Sequence, residues 1–214
     1  MTVSPGPARV PIGEPLRAML ATELARSRGG RTVIGIAGES GSGKTVASTE
    51  LATALAGAGI ATGVLHQDDY FVRPPRTNHE HRVRDLRAVG PHEVDLARLA
   101  AHVAAFRRGD NGVVVPEPDH PGDRFVSRTA DFGPLAVLIV EGTYVLRLGD
   151  LDVRVFCAAT HVQTAERRRL RNRDVDAPIV DEILAIEHAL IAPQAALADV
   201  IVGVDYAPHA PRRG

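Results

Sequence analysis

Short apolar runs alternate with longer mixed segments along most of the chain, and this alternation predicts an α/β protein. The runs are rich in β-branched residues and lie at 32–37, 60–66, 135–140, 153–156 and 200–202. Amphipathic, alanine-rich or basic segments predict helices at 14–28, 46–58, 93–108, 164–173 and 178–197. Because strands and helices alternate, we predict a parallel sheet with helices on both of its faces.

Two further segments fit neither pattern. Residues 67–90 are polar and contain aromatic residues and prolines, so we predict a long loop, and a loop of that length usually serves function. Residues 116–132 are rich in proline, aspartate and arginine, which predicts a small hairpin flap. We predict one domain at 13–207, with disordered ends at 1–12 and 208–214.

Composition narrows the class of function rather than the fold. Hydrophobic residues make up 44% and charged residues 24% of the 214 residues, which is ordinary for a soluble enzyme. The net charge of −1 favours neither nucleic acid nor an anionic membrane, so neither is expected as a partner. The apolar run at 135–140 is far too short to span a bilayer. With a single cysteine and no signal-like start, the chain is expected to be cytoplasmic.

The most specific motif is a glycine-rich loop between the first predicted strand and the helix after it. Its spacing, G-x-x-x-x-G-K-[ST], is that of the phosphate-binding P-loop. The motif consists of Gly38, Glu39, Ser40, Gly41, Ser42, Gly43, Lys44 and Thr45. Backbone N–H groups and the helix N-terminus would bind phosphates, and the Thr45 hydroxyl would bind Mg²⁺.

Lys44 is the only lysine among the 25 Lys and Arg residues of the chain. A compact ammonium group can reach between the β- and γ-phosphates, whereas a broad guanidinium group would clash with the wrapped loop. The cofactors are therefore predicted to be ATP or GTP and Mg²⁺, with Lys44 offsetting charge on the transferred phosphoryl group.

Acidic residues follow two predicted strands, at the sheet edge where ligands gather in open α/β folds. Glu141 ends the apolar run at 135–140, and a carboxylate there is costly unless it binds a cation or donors. We predict that Glu141 and Thr45 hold the metal. Asp68 and Asp69 could orient an acceptor hydroxyl and accept its proton, although a loop-capping pair is the alternative. Because adjacent strand-end side chains point apart, only one of the two is expected to face the acceptor.

Aromatic and basic residues add two further hypotheses. Tyr70 and Phe71 would either line the acceptor pocket or anchor the loop. Arginines cluster at 167–173, and Arg169 and Arg173 share one helix face, so we predict that they close over the triphosphate within a lid at about 164–178. The alternative is a solvated helix face. None of the nine histidines has zinc-ligand spacing, so no zinc site is predicted.

Taken together, these residues resemble the uridine kinase and phosphoribulokinase superfamily of P-loop kinases. Within it they are most similar to uridine-cytidine kinases and nicotinamide riboside kinases, and the resemblance covers roughly 31–204. It rests on the segments ESGSGKT (39–45), HQDDYF (66–71), VEG (140–142), ERRRLRNRD (166–174) and ADVIV (198–202). The resemblance implies that Asp68 is the catalytic base, that Glu141 binds magnesium and that 166–174 is an arginine-rich lid.

The flap and one loop position refine this comparison. PEPDH (116–120) lies where uridine kinases have a Pro-x-Tyr-Asp hairpin, which implies substrate contacts for Asp119, His120 and Arg124 of the flap. Nucleoside kinases of this group also place a ribose-binding aspartate where this chain has Val89. Asp85 could substitute for it if the loop is displaced.

The expected function is therefore transfer of the γ-phosphoryl group of Mg·ATP to a small-molecule alcohol, most simply the 5′-hydroxyl of a nucleoside. A kinase of a non-nucleoside alcohol, such as pantothenate or a sugar phosphate, is one alternative. A nucleotide-binding regulator without transfer activity is another, although the acceptor segment at 68–71 disfavours it. A homo-oligomer is compatible with the sequence.

Overall fold

The chain folds around a six-stranded sheet whose strand order is β2-β5-β1-β6-β7-β8. The computed structural model describes residues 11–26, 30–170 and 178–211, except for the side chains of 166–170. The strands are β1 (Thr32–Gly38), β2 (Thr62–His66), β3 (Val113–Asp119), β4 (Arg124–Ala130), β5 (Val137–Gly142), β6 (Val153–Cys157), β7 (Val200–Val202) and β8 (Pro208–His209). The α-helices are α1 (Gly13–Met19), α2 (Ala21–Arg26), α3 (Lys44–Gly57), α4 (Pro75–Arg84), α5 (Leu96–Arg108), α6 (His161–Leu170) and α7 (Pro178–Ile191).

The register of the parallel strands brings the predicted chemical groups to one edge of the sheet. β1 pairs with β5 and β6, and β5 pairs with β2, all in parallel. His66 at the end of β2 lies opposite Glu141 of β5, and Ala37 of β1 lies opposite Gly142. The P-loop, the 66–71 segment and Glu141 therefore meet at the carboxyl edge, as predicted.

Helices cover both faces of the sheet, which confirms the predicted layering. On one face, α1 and α3 bury Leu16 and Leu51 against Ile34 of β1. On the other face, α5 buries Phe106 against Val33. Neighbouring residues of β1 thus serve opposite cores, as the period of two in a strand requires, and both faces of the strand are apolar for that reason.

The segment predicted as a long loop at 67–90 is instead largely helical. It contains 3-10 helices at Gln67–Tyr70 and Leu86–Ala88, with α4 between them. A proline at its first position favours the start of α4. The helix has no apolar stripe because it packs through polar side chains, among them Asn78 and Arg82, so hydrophobic periodicity could not reveal it.

Several predicted helix limits need correction. The helix expected at 14–28 breaks at Leu20 into α1 and α2. The helix expected from residue 93 begins at Leu96, because the Asp95 side chain caps it by accepting the Arg98 N–H group at 2.9 Å. The helix expected to reach residue 197 ends at Ile191 and continues as a 3-10 turn.

The ordered structure also extends past both predicted domain limits. The Ile12 N–H group donates to Glu50 at 2.6 Å, and Ile12 is buried. Pro208–His209 forms β8, which pairs antiparallel with β7. Ile12 is held by a partner 38 residues away and β8 by its pairing with β7, and local composition reveals neither contact. Among the described helices, none combines the length and apolar character needed to cross a membrane.

Candidate active site

The P-loop joins β1 to α3, and its backbone has the shape of an anion cradle. α3 begins at Lys44, so its unpaired N–H groups point into the loop. Gly43 caps the helix with φ of 98°, and a Cβ atom there would lie 2.6 Å from the Tyr206 ring. Only glycine satisfies both conditions. The motif therefore lies between a strand and a helix, as the sequence predicted.

Glu141 and Thr45, the predicted metal ligands, lie side by side. The Thr45 hydroxyl donates to Glu141 Oε1 at 3.2 Å, and His66 Nδ1 lies 2.7 Å from the same oxygen. The other oxygen, Oε2, is buried and accepts no hydrogen bond from the described part of the chain. A buried carboxylate oxygen without a donor is costly, and a bound cation would remove that cost.

His66 completes this arrangement, although no sequence motif assigned it a role. Burial raises the pKa of Glu141, but the hydrogen bond from His66 and the charges of Lys44 and His66 outweigh burial and leave it lowered. The same hydrogen bond raises the pKa of His66. Glu141 is therefore ionised near neutral pH, which is the form that binds a divalent cation.

Two adjoining cavities open at this edge of the sheet, and Asp68 lines both. The first, of about 330 Å³, lies against the P-loop and α7 and is lined by Lys44 and Glu187 among others. The second, of about 500 Å³, lies against the flap and is lined by Thr45 and Glu141 among others. Asp68 is exposed to solvent between them. A carboxylate at this junction can reach a ligand in either cavity.

Asp69 differs from its neighbour in its surroundings. It is half-buried and lines the larger cavity together with Asp68, so both carboxylates lie at the same cleft. The pair lies in a 3-10 helix rather than a strand, so their side chains do not point to opposite sides. Burial raises the pKa of Asp69 to about 6, opposed by the charge of His66 and reinforced by that of Asp68.

The two aromatic residues of the segment have separate roles. Tyr70 is only 2% exposed, and its hydroxyl shares a 2.7 Å hydrogen bond with Nδ1 of His102 in α5. It anchors the segment to the core, so the prediction of a substrate contact is corrected. Phe71 lines both cavities, and the Arg82 guanidinium lies 5.4 Å from its ring centroid. Of the two residues, only Phe71 lines a cavity, and for Phe71 the acceptor pocket stays a prediction.

The predicted flap is a hairpin of β3 and β4 whose tip meets α4. Asp119 accepts hydrogen bonds from Arg124 at 2.8 Å and from the Gly122 N–H group at 3.1 Å, so Asp119 and Arg124 close the turn. Neither residue is among those that line the two cavities, and their substrate contacts stay predictions. His120 does line the larger cavity. Asp123, missed in the sequence, accepts from the Thr77 hydroxyl at 2.6 Å and ties the tip to the first turn of α4.

Neither position considered for a ribose-binding carboxylate faces the cleft. Val89 is buried, 4% exposed. Asp85 accepts hydrogen bonds from the Arg87 N–H group at 3.0 Å and from its guanidinium at 2.9 Å, which caps a short 3-10 turn. The substitution of Asp85 for the missing aspartate is therefore not supported, because this carboxylate is engaged elsewhere.

A buried charge network supports the wall of the cleft. Arg82 of α4 donates to Glu93 through Nε at 2.5 Å and Nη2 at 2.9 Å, and its Nη1 lies 3.1 Å from Glu187 of α7. Asn78 and the Gly90 N–H group also donate to Glu93. The side chain of Arg82 is 16% exposed, and those of both glutamates are nearly buried. The network joins α4 to α7 across the first cavity.

We expect Arg82→Met to lower the free energy of unfolding by about 3–5 kcal/mol, because it leaves two buried carboxylates without their cation. Urea denaturation would measure the change. Arg84→Met is the matched control: Arg84 pairs with Glu80 on the exposed face of the same helix and should cost less than about 1 kcal/mol. Equal effects of the two substitutions would contradict this account of the network.

The lid prediction is only partly addressed by the described residues. α6 is helical through Leu170, in agreement with the predicted helix. The side chain of Arg169 and all of Arg173 lie outside the described residues. At the other end of α6, His161 donates its backbone N–H group to Glu39 of the P-loop at 2.7 Å. The Glu39 side chain, predicted as cofactor-binding, is thus bonded to the first residue of α6.

Comparison with known proteins places this geometry in a family. Residues 33–206 match the Phosphoribulokinase / Uridine kinase family. Uridine kinases from Macrococcus caseolyticus and Staphylococcus aureus are 29% and 30% identical over 187 and 185 residues, which is 80% of this chain and 87% and 86% of theirs. The bifunctional alpha-galactosidase/sucrose kinase AgaSK of Mediterraneibacter gnavus is 31% identical over 189 residues, which is 82% of this chain but 20% of that longer protein.

Solved structures agree on the fold. A possible uridine kinase from Bacillus stearothermophilus superposes with a TM-score of 0.64 at 22% identity, covering 88% of this chain and 97% of that one. A putative fructose transport system kinase from Silicibacter sp. TM1040 gives 0.64 at 20% identity, with coverage of 87% and 95%. The relatives of the present chain in this family are phosphotransferases, so the alternative of a nucleotide-binding regulator is set aside. The chain belongs to the Phosphoribulokinase / Uridine kinase family and is a P-loop kinase that uses ATP to phosphorylate an alcohol.

Proposed function

We propose that this kinase transfers the γ-phosphoryl group of Mg·ATP to a hydroxyl of a small polyhydroxylated acceptor, with Asp68 as the base. The observation that carries the proposal is the position of Lys44 and Asp68 on one cavity at the N-terminus of α3. A phosphate-binding cation and a solvent-exposed carboxylate on the same cavity are the two groups that phosphoryl transfer to an alcohol needs.

Thr45 and Glu141 are the residues that would hold magnesium. The fit rests on the unpaired buried oxygen of Glu141 and on the hydroxyl beside it. Bound Mg²⁺ would offset negative charge on the phosphate oxygens during transfer. His66 would orient Glu141 through its 2.7 Å hydrogen bond and keep the carboxylate ionised.

Asp68 would act on the acceptor rather than on the nucleotide. Its carboxylate would accept a hydrogen bond from the acceptor hydroxyl and take the proton as the new P–O bond forms. Phe71 and His120 would contact the rest of the acceptor, since both line the larger cavity next to Asp68. The arginines predicted for the lid would offset charge from the opposite side of the triphosphate.

We expect Glu141→Gln to raise the Mg²⁺ concentration that gives half-maximal activity by at least about tenfold, because an amide is a weaker ligand and carries no charge. A Mg²⁺ titration at saturating ATP would measure this. Glu14→Gln in α1, an exposed residue paired with Arg17, serves as the control and should leave the titration unchanged. An unshifted titration in Glu141→Gln would remove Glu141 from the metal site.

For the acceptor, we propose the 5′-hydroxyl of a nucleoside first. Uridine kinases match this chain over most of their own length, so their activity is the simplest one to expect here. A free sugar is the second candidate, favoured by a specific observation: neither Val89 nor Asp85 offers a carboxylate to a ribose, and the sucrose kinase AgaSK is 31% identical.

The test measures ADP release from Mg·ATP with uridine, cytidine, nicotinamide riboside, sucrose, fructose and pantothenate as acceptors. Asp68→Asn is the control for acceptor-dependent turnover. Acceleration by a nucleoside that is lost in the control supports the first candidate, and acceleration by a sugar alone supports the second. If no alcohol accelerates ADP release above the basal hydrolysis rate, the proposed reaction is contradicted.

A further inference from the structure

Glu39, His161 and His188 form a cluster that connects the P-loop to two helices. Glu39 follows β1, His161 begins α6, and His188 lies in the last turn of α7. His161 Nδ1 lies 3.0 Å from Glu39 Oε2, and His188 Nδ1 lies 2.7 Å from Oε1. The three ligand atoms all lie within 4.8 Å of one another.

Burial distinguishes this cluster from an accidental surface contact. The side chain of Glu39 is 5% exposed and that of His161 is 17% exposed, whereas His188 is 44% exposed. The carboxylate is therefore held inside the protein, while one imidazole is open to solvent and gives an ion a route of entry. The two rings lie with their centroids 5.5 Å apart, and their planes are inclined at 59° to each other.

We propose that Glu39, His161 and His188 form a zinc site, separate from the Thr45 and Glu141 magnesium site. Two imidazole nitrogens and one carboxylate are a known ligand set for Zn²⁺, with water or another ligand in the fourth position. Hard Mg²⁺ prefers oxygen ligands, so the two sites would select different ions. The proposed zinc site thus offers mainly nitrogen ligands, whereas the magnesium site offers oxygen ligands.

The distances from the two Nδ1 atoms to the Glu39 carboxylate would allow zinc to bind after shifts of less than about 1 Å. Zinc ligands stand ~2.0–2.2 Å from the ion, so neighbouring ligand atoms in a tetrahedral site are separated by roughly 3.4 Å. The two Nδ1–carboxylate distances of 3.0 and 2.7 Å would have to open by about 0.4 and 0.7 Å. An imidazole whose ring proton is on Nε2 presents the Nδ1 lone pair to an ion.

The ionisation of the carboxylate supports the same assignment. Burial raises the pKa of Glu39, but hydrogen bonds from His188 and His161 outweigh burial and leave it lowered. Glu39 is thus anionic near neutral pH and needs no deprotonation to act as a ligand.

Zinc at this position would cross-link the P-loop to the base of the lid. The backbone carbonyl of Glu39 accepts the Ser42 N–H group at 3.1 Å, so the ligand belongs to the turn that forms the phosphate cradle. The Thr164 hydroxyl of α6 also donates a hydrogen bond to the Ser40 carbonyl at 3.3 Å. An ion on Glu39 would therefore add a strong bond where the helix and the cradle already touch.

The test is titration of the metal-stripped full chain with Zn²⁺ in excess Mg²⁺, followed by calorimetry. We expect one Zn²⁺ per chain, and an affinity at least about tenfold weaker in His188→Gln and in His161→Gln. Glu141→Gln, in the magnesium site, and His209→Gln, an exposed histidine in β8, are the matched controls and should bind as the unchanged chain does. With Co²⁺ as the probe, tetrahedral visible absorption should appear and be lost in His188→Gln.

Three results would overturn the proposal. The first is that the chain binds no stoichiometric Zn²⁺. The second is that His188→Gln binds Zn²⁺ with the same affinity as the unchanged chain. The third is that Zn²⁺ affinity is lost in Glu141→Gln or His209→Gln instead. Circular dichroism checks that each variant is folded. If His161→Gln does not fold, the half-exposed His188 still decides the question, because its replacement leaves the His161 contacts with Glu39 in place.

Discussion

Replacing Asp68 with asparagine is expected to lower kcat by at least about a hundredfold while ATP affinity is retained. Asparagine has nearly the same shape but cannot accept the proton that the acceptor hydroxyl releases. Asp68 is exposed where the two cavities meet, and no described side chain pairs with it in a hydrogen bond or salt bridge, so the substitution should not disturb the fold. Steady-state kinetics with the active acceptor and calorimetry with ATP measure the two quantities.

Asp69→Asn is the matched control for this experiment. Asp69 is adjacent and half-buried, and unlike Asp68 it does not line the cavity that holds Lys44, so its removal should change kcat far less than removal of Asp68. If Asp69→Asn causes the large loss and Asp68→Asn does not, the base assignment moves by one residue. Turnover within tenfold of the unchanged chain in Asp68→Asn would take that residue out of the proton transfer.

The features that could be predicted from the sequence are those whose residues follow a regular local pattern along the chain. The apolar run at 135–140 predicted a buried strand, and parallel pairing then required Glu141 to lie near the ends of β1 and β2. The P-loop conformation followed from its glycines, because the turn at Gly43 has room for no other residue. Local patterns of this kind carry over to three dimensions without knowledge of distant partners.

The remainder depended on polar contacts between distant segments. α4 was missed because its inward side chain is Arg82, whose partners Glu93 and Glu187 lie on other elements. The Glu39–His161–His188 cluster joins residues 122 and 149 positions apart, so no spacing rule finds it. Tyr70 could not be assigned to pocket or core until His102 of α5 was seen beside it. In each case the role of the residue can be assigned only when the fold is known.

Lys44→Ala is expected to lower kcat/KM for ATP by about 10²–10³-fold and to weaken ATP binding, because it removes the cation that the P-loop itself places at the phosphate cradle. Lys44 begins α3 and lines the cavity shared with Asp68. Its charge also helps to lower the pKa of Glu141, so the variant loses a phosphate partner and a neighbour of the metal ligand at once. Calorimetry with ATP and Mg²⁺ measures the binding loss.

Lys44→Arg tests whether charge alone is sufficient at this position. Arg keeps the charge, but its planar group is broader than the ammonium group, and the cradle is narrow because Gly43 already packs against Tyr206. We therefore expect Lys44→Arg to remain impaired in ATP binding, although less than Lys44→Ala.

Because Lys44 is the only lysine, an amine-reactive reagent can label one side chain besides the terminal amine, and ATP should protect that side chain from labelling. Unchanged ATP affinity in Lys44→Ala, or labelling that ATP does not slow, would contradict the role of the loop in phosphate binding.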